Sequence, residues 1–97
     1  MDINKALKTA VITGKVLFGF DQTMKAVKAE KAKLIIFSSN CPDKHLTIIE
    51  KHKEVPSHRF SGTNIELGSA CGKPFSISVL SVLSEGESEI LALGTKK

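Results

Sequence analysis

Few side chains in this sequence combine the type and the spacing that chemistry requires. His45 and His52 lie seven positions apart, two helical turns and so on a similar face, but no carboxylate or third ligand joins them at a zinc-like spacing. Cys41 and Cys71 stand thirty positions apart, which matches neither a metal site nor a disulfide scaffold. Gly14-Lys15 and Gly72-Lys73 lack the Gly-x-x-x-x-Gly-Lys-Ser/Thr pattern that rings a phosphate with amides. Gly68-Ser69-Ala70-Cys71-Gly72 holds two nucleophiles, yet it misses the Gly-x-Ser-x-Gly spacing and falls in a predicted helix rather than on a strand-to-helix elbow. With no base placed to activate either nucleophile, the residues point away from catalysis, a resident metal or a cofactor.

Binding is the chemistry that remains. Gly19 opens a predicted helix, Asn40 follows a predicted strand, Asn64 opens another helix, and Phe75 precedes the last strand. If these loops share one edge of the fold, helix N-termini can offer amides to phosphate and Asn40 a two-way amide to a base edge. Phe75 with Ile77 can offer an apolar surface to an unstacked base. Such groups suit irregular RNA better than a duplex, because the deep, narrow major groove of A-form RNA excludes side chains. Each residue also has a plainer role: Gly19 in a tight turn, Asn40 as a turn former, Asn64 as the first residue of a capped helix, Phe75 in the core.

The elements that must position these residues follow from periodicity. Asp2 can cap a helix whose apolar stripe is Ile3, Ala6, Leu7, Ala10 and Val11, ended by Thr13-Gly14. Val16 to Phe18 is a short strand, and Asp21 can cap a second helix carrying Lys25, Lys28 and Lys31. Leu34 to Phe37 is a buried strand, and after Asn40-Cys41-Pro42 the segment Asp43 to Lys53 reads as a third helix. Pro56 breaks that helix, and His58 to Phe60 gives a third strand. Thr63 and Glu66 have capping-box spacing for a short helix that Gly72 stops. Ser76 to Leu83 is the longest β-like run, and a short helical piece from Ser88 to Leu93 ends at Gly94. Alternating helices and strands within 97 residues predict a three-layer α/β/α sandwich with a small, mostly four-stranded mixed sheet, and one domain over residues 1–97.

Charge adds a direction. Residues 1–53 hold ten Lys and Arg against five Asp and Glu, residues 54–97 four against five, so the +4 excess comes wholly from the first half. This asymmetry suits a polyanion on one side of the molecule, although a lysine-rich helix is also an ordinary solvated face. The charged start MDINKALKT leads into no apolar run long enough for a signal or a membrane span, and the cysteine usage suits a reducing interior. A soluble intracellular protein is expected.

Three ordered blocks, TGKVLFGFDQTMKAVKAEKAKLIIFSSNCP, FSGTNIELGSACGKPFSISVLSV and EGESEILAL, span nearly the whole chain. Together they resemble the L-thirty-e family of large-subunit ribosomal proteins, within the kink-turn-binding superfamily, with a short start and an ILALGTKK ending closer to archaeal than to eukaryotic members. The resemblance implies binding to a kink-turn, a bent RNA internal loop with sheared G·A pairs and a protruding nucleotide, in ribosomal RNA. It further implies neighbouring ribosomal proteins as partners, a cytoplasmic ribosomal location, no membrane and a monomer when free. Carried over by position, Phe18 and Gly19 approach the RNA, Asn40 bonds bases beside the bulge, Asn64 shares that edge, and Phe75 and Ile77 pack on the protruding nucleotide. Asp21 departs from the family, which usually places Lys or Arg there; Lys25 or Lys15 could replace the charge, with Asp21 left as a helix cap. A protein-interaction module using the same edge, and a small enzyme built on Cys41 or Cys71, remain as alternatives.

Overall fold

The computed structural model describes residues 2–94. Helix α1 (Ile3–Thr13) begins where the Asp2 carboxylate accepts the Lys5 amide at 3.2 Å, and it buries Ala6, Leu7 and Ala10. After β1 (Lys15–Phe18) come α2 (Phe20–Lys28), β2 (Leu34–Phe37), α3 (Asp43–Lys51), β3 (Ser57–Arg59), α4 (Asn64–Ala70) and β4 (Val79–Ser84). A 3₁₀ turn spans Ile90–Gly94.

The strands lie in the order β1-β4-β2-β3. Strand β4 pairs antiparallel with both β1 and β2, while β2 and β3 run parallel, so the sheet is mixed as expected. Side-chain alternation then divides the apolar residues between two faces. Leu34, Ile36, Leu80 and Val82 pack with Leu7 and Ala10 of α1, Leu67 of α4 and Ile90 in one core. Ile35 and Val79 face the other way and pack with Val27 of α2 and Ile49 of α3 in a second. These are the three layers that the sequence predicts.

Several boundaries differ by one to three residues, and those beside the loop edge have local reasons. Strand β4 starts at Val79 rather than Ser76, because the preceding loop is held by α4: the Lys73 amide donates to the Gly68 carbonyl at 3.0 Å and the Ile77 amide to the Asn64 carbonyl at 2.9 Å. Helix α2 starts at Phe20, with Gly19 as its N-cap and Thr23 N–H donating to the Gly19 carbonyl at 3.0 Å. The expected Asp21 cap is therefore corrected: Asp21 lies inside the first turn and makes no capping bond, its carboxylate serving there only as a charge favoured by the helix dipole. Helix α3 ends at Lys51, two residues early, and β3 ends at Arg59, leaving Phe60 just beyond the strand and buried in the first core. The capping box of α4 forms as read: Thr63 Oγ1 accepts from Glu66 N at 3.3 Å, and Glu66 Oε1 accepts from Thr63 N at 2.8 Å.

Candidate nucleic-acid interface

One edge of the sandwich gathers the ends of β1 and β2, the start of α4 and the loop 72–78. Backbone hydrogen bonds lace these segments together. Gly19 N–H donates to Val79 O, Ser38 N–H to Ser78 O and Ser39 N–H to Gly62 O, each at 2.8 Å, and the Ile77 to Asn64 bond closes the set. Four loops far apart in sequence are thereby fixed by the sheet they leave.

Asn40 and Asn64 interlock within this lattice. Asn40 Oδ1 accepts from Ser38 Oγ at 2.8 Å and from the Asn64 backbone amide at 2.9 Å, while Asn40 Nδ2 donates to Asn64 Oδ1 at 3.0 Å. The expected two-way amide is thus narrower in the free protein. An amide oxygen has two lone pairs and an NH₂ two hydrogens, so Asn40 has spent its acceptor and keeps one N–H. The pair consequently presents three free N–H donors against one remaining Asn64 Oδ1 lone pair, and donors match the O6 and N7 acceptors of guanine.

Beside it lies an open cavity of about 300 Å³, lined by Phe18, Gly19, Phe20, His45 and residues 75–79. That size is at the lower end of ligand clefts, roughly 300–1,000 Å³. Phe75 is 53% exposed and meets Phe18 edge-to-face, ring centroids 6.4 Å apart at 84°. Ile77 borders the same cavity but is only 3% exposed and belongs to the first core, so Phe75 supplies the outward apolar surface and Ile77 the wall behind it. Phe20 stacks on His45 at 3.9 Å and 5°, tying the start of α2 to α3.

Gly19 has φ +100° and ψ 154°, a conformation essentially restricted to glycine, and a Cβ there would meet nothing within 4 Å. Its lack of a side chain therefore meets a backbone demand and also leaves the surface open. No side chain caps α2 or α3, which leaves first-turn amides at both helix starts available to an anion.

The basic residues are arranged less simply. Lys25 is exposed in the last turn of α2, about 9 Å along the axis from Gly19 at 1.5 Å per residue, and Lys15 stands at the opposite end of β1 from Phe18. Lys73 is the cation that the fold brings in, its Nζ 5.3 Å from the Phe18 ring centroid, a cation–π distance. Arg59, at the end of β3, reaches Ser39 O from Nη2 at 3.5 Å, next to Asn40. Ile65, 70% exposed beside Asn64, adds an apolar side chain to the rim. Sequence reasoning missed all three, although the nearness of Lys73 to Phe75 and of Ile65 to Asn64 in the chain was a usable signal. Arg59 had none, because its place depends on the parallel pairing of β3 with β2.

Among the described residues neither cysteine is hydrogen-bonded to a side-chain base: Cys41 Sγ meets only the Pro42 carbonyl, at 3.8 Å. Burial pushes the Cys71 thiol up to about 11, against a smaller opposing effect of Lys73, and burial with the Asp43 charge also raises Cys41. Both are free, buried and held in the unreactive thiol form at neutral pH. Among the described residues no group of three or more His, Cys, Asp and Glu side chains could hold a metal ion.

A sequence model of the ribosomal protein L7Ae/L30e/S12e/Gadd45 family matches residues 1–92. Large ribosomal subunit protein eL30 of Methanosphaerula palustris is 40% identical over 96% of this chain and 97% of its own length. The eL30 of Methanocaldococcus jannaschii is 42% identical, covering 100% of this chain and 91% of that protein, and the eL30 of Methanosarcina mazei 43% identical, covering 95% and 88%. Among solved structures, a protein of unknown function from Bacillus halodurans C superposes with a TM-score of 0.82 at 26% identity, over 94% of this chain and 93% of that one.

Proposed function

Because the chain belongs to the ribosomal protein L7Ae/L30e/S12e/Gadd45 family, we propose that it is a non-enzymatic constituent of the large ribosomal subunit that binds a kink-turn in ribosomal RNA through the edge built around Asn40 and Asn64. The observation that carries this reading is the interlocked asparagine pair beside the Phe18–Phe75 cavity. Free donors on the exposed Asn40 and half-buried Asn64 next to an exposed ring suit a bent loop, which offers guanine edges from its sheared G·A pairs and one unstacked base. Asn40, Asn64 and Gly19 meet the base pairs and backbone beside the bend. Phe75, with Phe18 and Ile77 behind it, receives the protruding nucleotide. Lys73 and Arg59, rather than Lys25 alone, supply charge close to that site.

Residues 1–97 act as one RNA-binding domain, monomeric when free and working in the cytoplasmic ribosome beside other ribosomal proteins. Among the described residues no helix is long and apolar enough to cross a membrane.

The test is a titration against a kink-turn RNA and a fully paired RNA of equal length, at two salt concentrations, with Asn40→Ala alongside. We expect preference for the kink-turn and a loss of about 1–3 kcal/mol on it in the variant. Equal, salt-sensitive binding to both RNAs would reduce the edge to a basic surface, and binding to neither would point to a protein partner instead.

A further inference from the structure

We infer that the groove between α1 and α4 is a second RNA-backbone site, where Lys5 and Lys8 hold phosphates of the stem that leaves the bent loop; the inference rests on the edge around Asn40 being RNA-binding. The groove has a volume of about 630 Å³, with Lys5 and Lys8 on the α1 side and Ser61, Gly62, Glu66 and Ser69 on the other.

Its two ends join the recognition edge. At one end Gly62 accepts the amide of Ser39, the neighbour of Asn40. At the other, the Lys8 Cε lies 3.5 Å from where a Cβ on Gly72 would stand, and the next residue, Lys73, reaches over the Phe18 ring. A nucleic-acid stem seated at Asn40 and Phe75 thus has a continuous path into the groove.

The groove side of α1 presents two cations to a polyanion, while Lys5 also borders a neighbouring cavity lined by Asp2, Glu87 and Glu89. Lys5 and Lys8 are exposed and three residues apart, so they project from neighbouring turns of one helix face. The ion pair found among the described residues is His52–Glu54, which leaves both ammonium groups without a carboxylate partner. Glu66, the acid inside the groove, is held by the Thr63 amide through Oε1 and keeps its charge, so the two lysines outnumber it. Flexible lysine stems offer point charges suited to phosphates without fixing a sequence.

The experiment compares a minimal kink-turn RNA with versions in which each stem in turn is lengthened by one helical turn, using the unaltered protein and Lys5→Gln/Lys8→Gln. Each duplex phosphate contact contributes about 0.9 to the slope of log affinity against log salt. On the RNA whose lengthened stem enters the groove, the double variant should lose about 1.8 from that slope, so its affinity drop between 50 and 200 mM salt becomes about tenfold smaller. On the minimal RNA the two proteins should match, and their unfolding temperatures should agree. Equal slopes for both proteins on every long RNA overturn the groove while leaving the recognition edge intact, and an equal change on minimal and long RNAs overturns it in favour of a general field. Failure of the unaltered protein to prefer the minimal kink-turn over paired RNA overturns the reading of the edge, and this site with it.

Discussion

Asp21 is the residue at which local and functional demands can be separated. Gly19 caps α2 through its backbone, so the Asp21 carboxylate closes no hydrogen bond there and contributes only a charge in the first turn. That charge is worth about 0.3–1 kcal/mol to the helix, yet it stands at the helix start nearest Gly19 and repels phosphate. Asp21→Lys should therefore slightly destabilise the free protein, tighten kink-turn binding and steepen its salt slope by about 1. Titration of the variant at several salt concentrations checks this, and unchanged or weaker affinity would count against an acid that is merely tolerated. Asn40 shows the reverse case. Its type and place after a strand were visible in the chain, but its bonds to Asn64, 24 positions away, exist only in the fold.

At the level of elements, α4 is the part that holds the edge together. Gly68 faces the loop so closely that a Cβ would run into the Phe75 carbonyl oxygen, a backbone atom that cannot rotate away. Alanine favours helices over glycine by about 1 kcal/mol, but here overpacking dominates. Gly68→Ala should destabilise by about 1–3 kcal/mol and weaken RNA binding by displacing Phe75, whereas Ser69→Ala on the exposed side should leave stability within about 0.5 kcal/mol. Urea unfolding of the pair measures the difference, and a more stable Gly68→Ala would refute the close packing. The capping box and the stop at Gly72, whose φ is +76°, were legible because both are local. The start of β4 was not, because Ser76 to Ser78 look like strand but donate and accept across to α4 and β2.

For the molecule as a whole, stability rests on two cores, one on each face of the sheet. Cys71 couples the first core to pH. Its thiol titrates at about 11 folded against an ordinary 9.0, so between these values the unfolded chain has released a proton that the folded chain retains. The contribution is fully present below pH 9 and is lost as pH rises through 11, by about 3 kcal/mol in all. Unfolding free energies at pH 8 and pH 10.5 should therefore fall more steeply with pH in the unaltered protein than in Cys71→Ala, a comparison that cancels the lysine titrations. Parallel pH profiles would show that burial does not hold the thiol protonated.

The sequence alone determined the succession of elements, their buried faces and the sandwich they form, because period, caps and breakers act within one or two turns of chain. It also determined the excess of positive charge in the first half and the lack of a catalytic spacing, since those are properties of composition and order. Only the tertiary structure decided that Lys73, rather than Lys25, meets the aromatic pair, that Ile77 stands behind Phe75, and that the two asparagines constrain each other. Those outcomes depend on which strands pair and in what register, and a strand pairing joins residues whose separation along the chain carries no local signal.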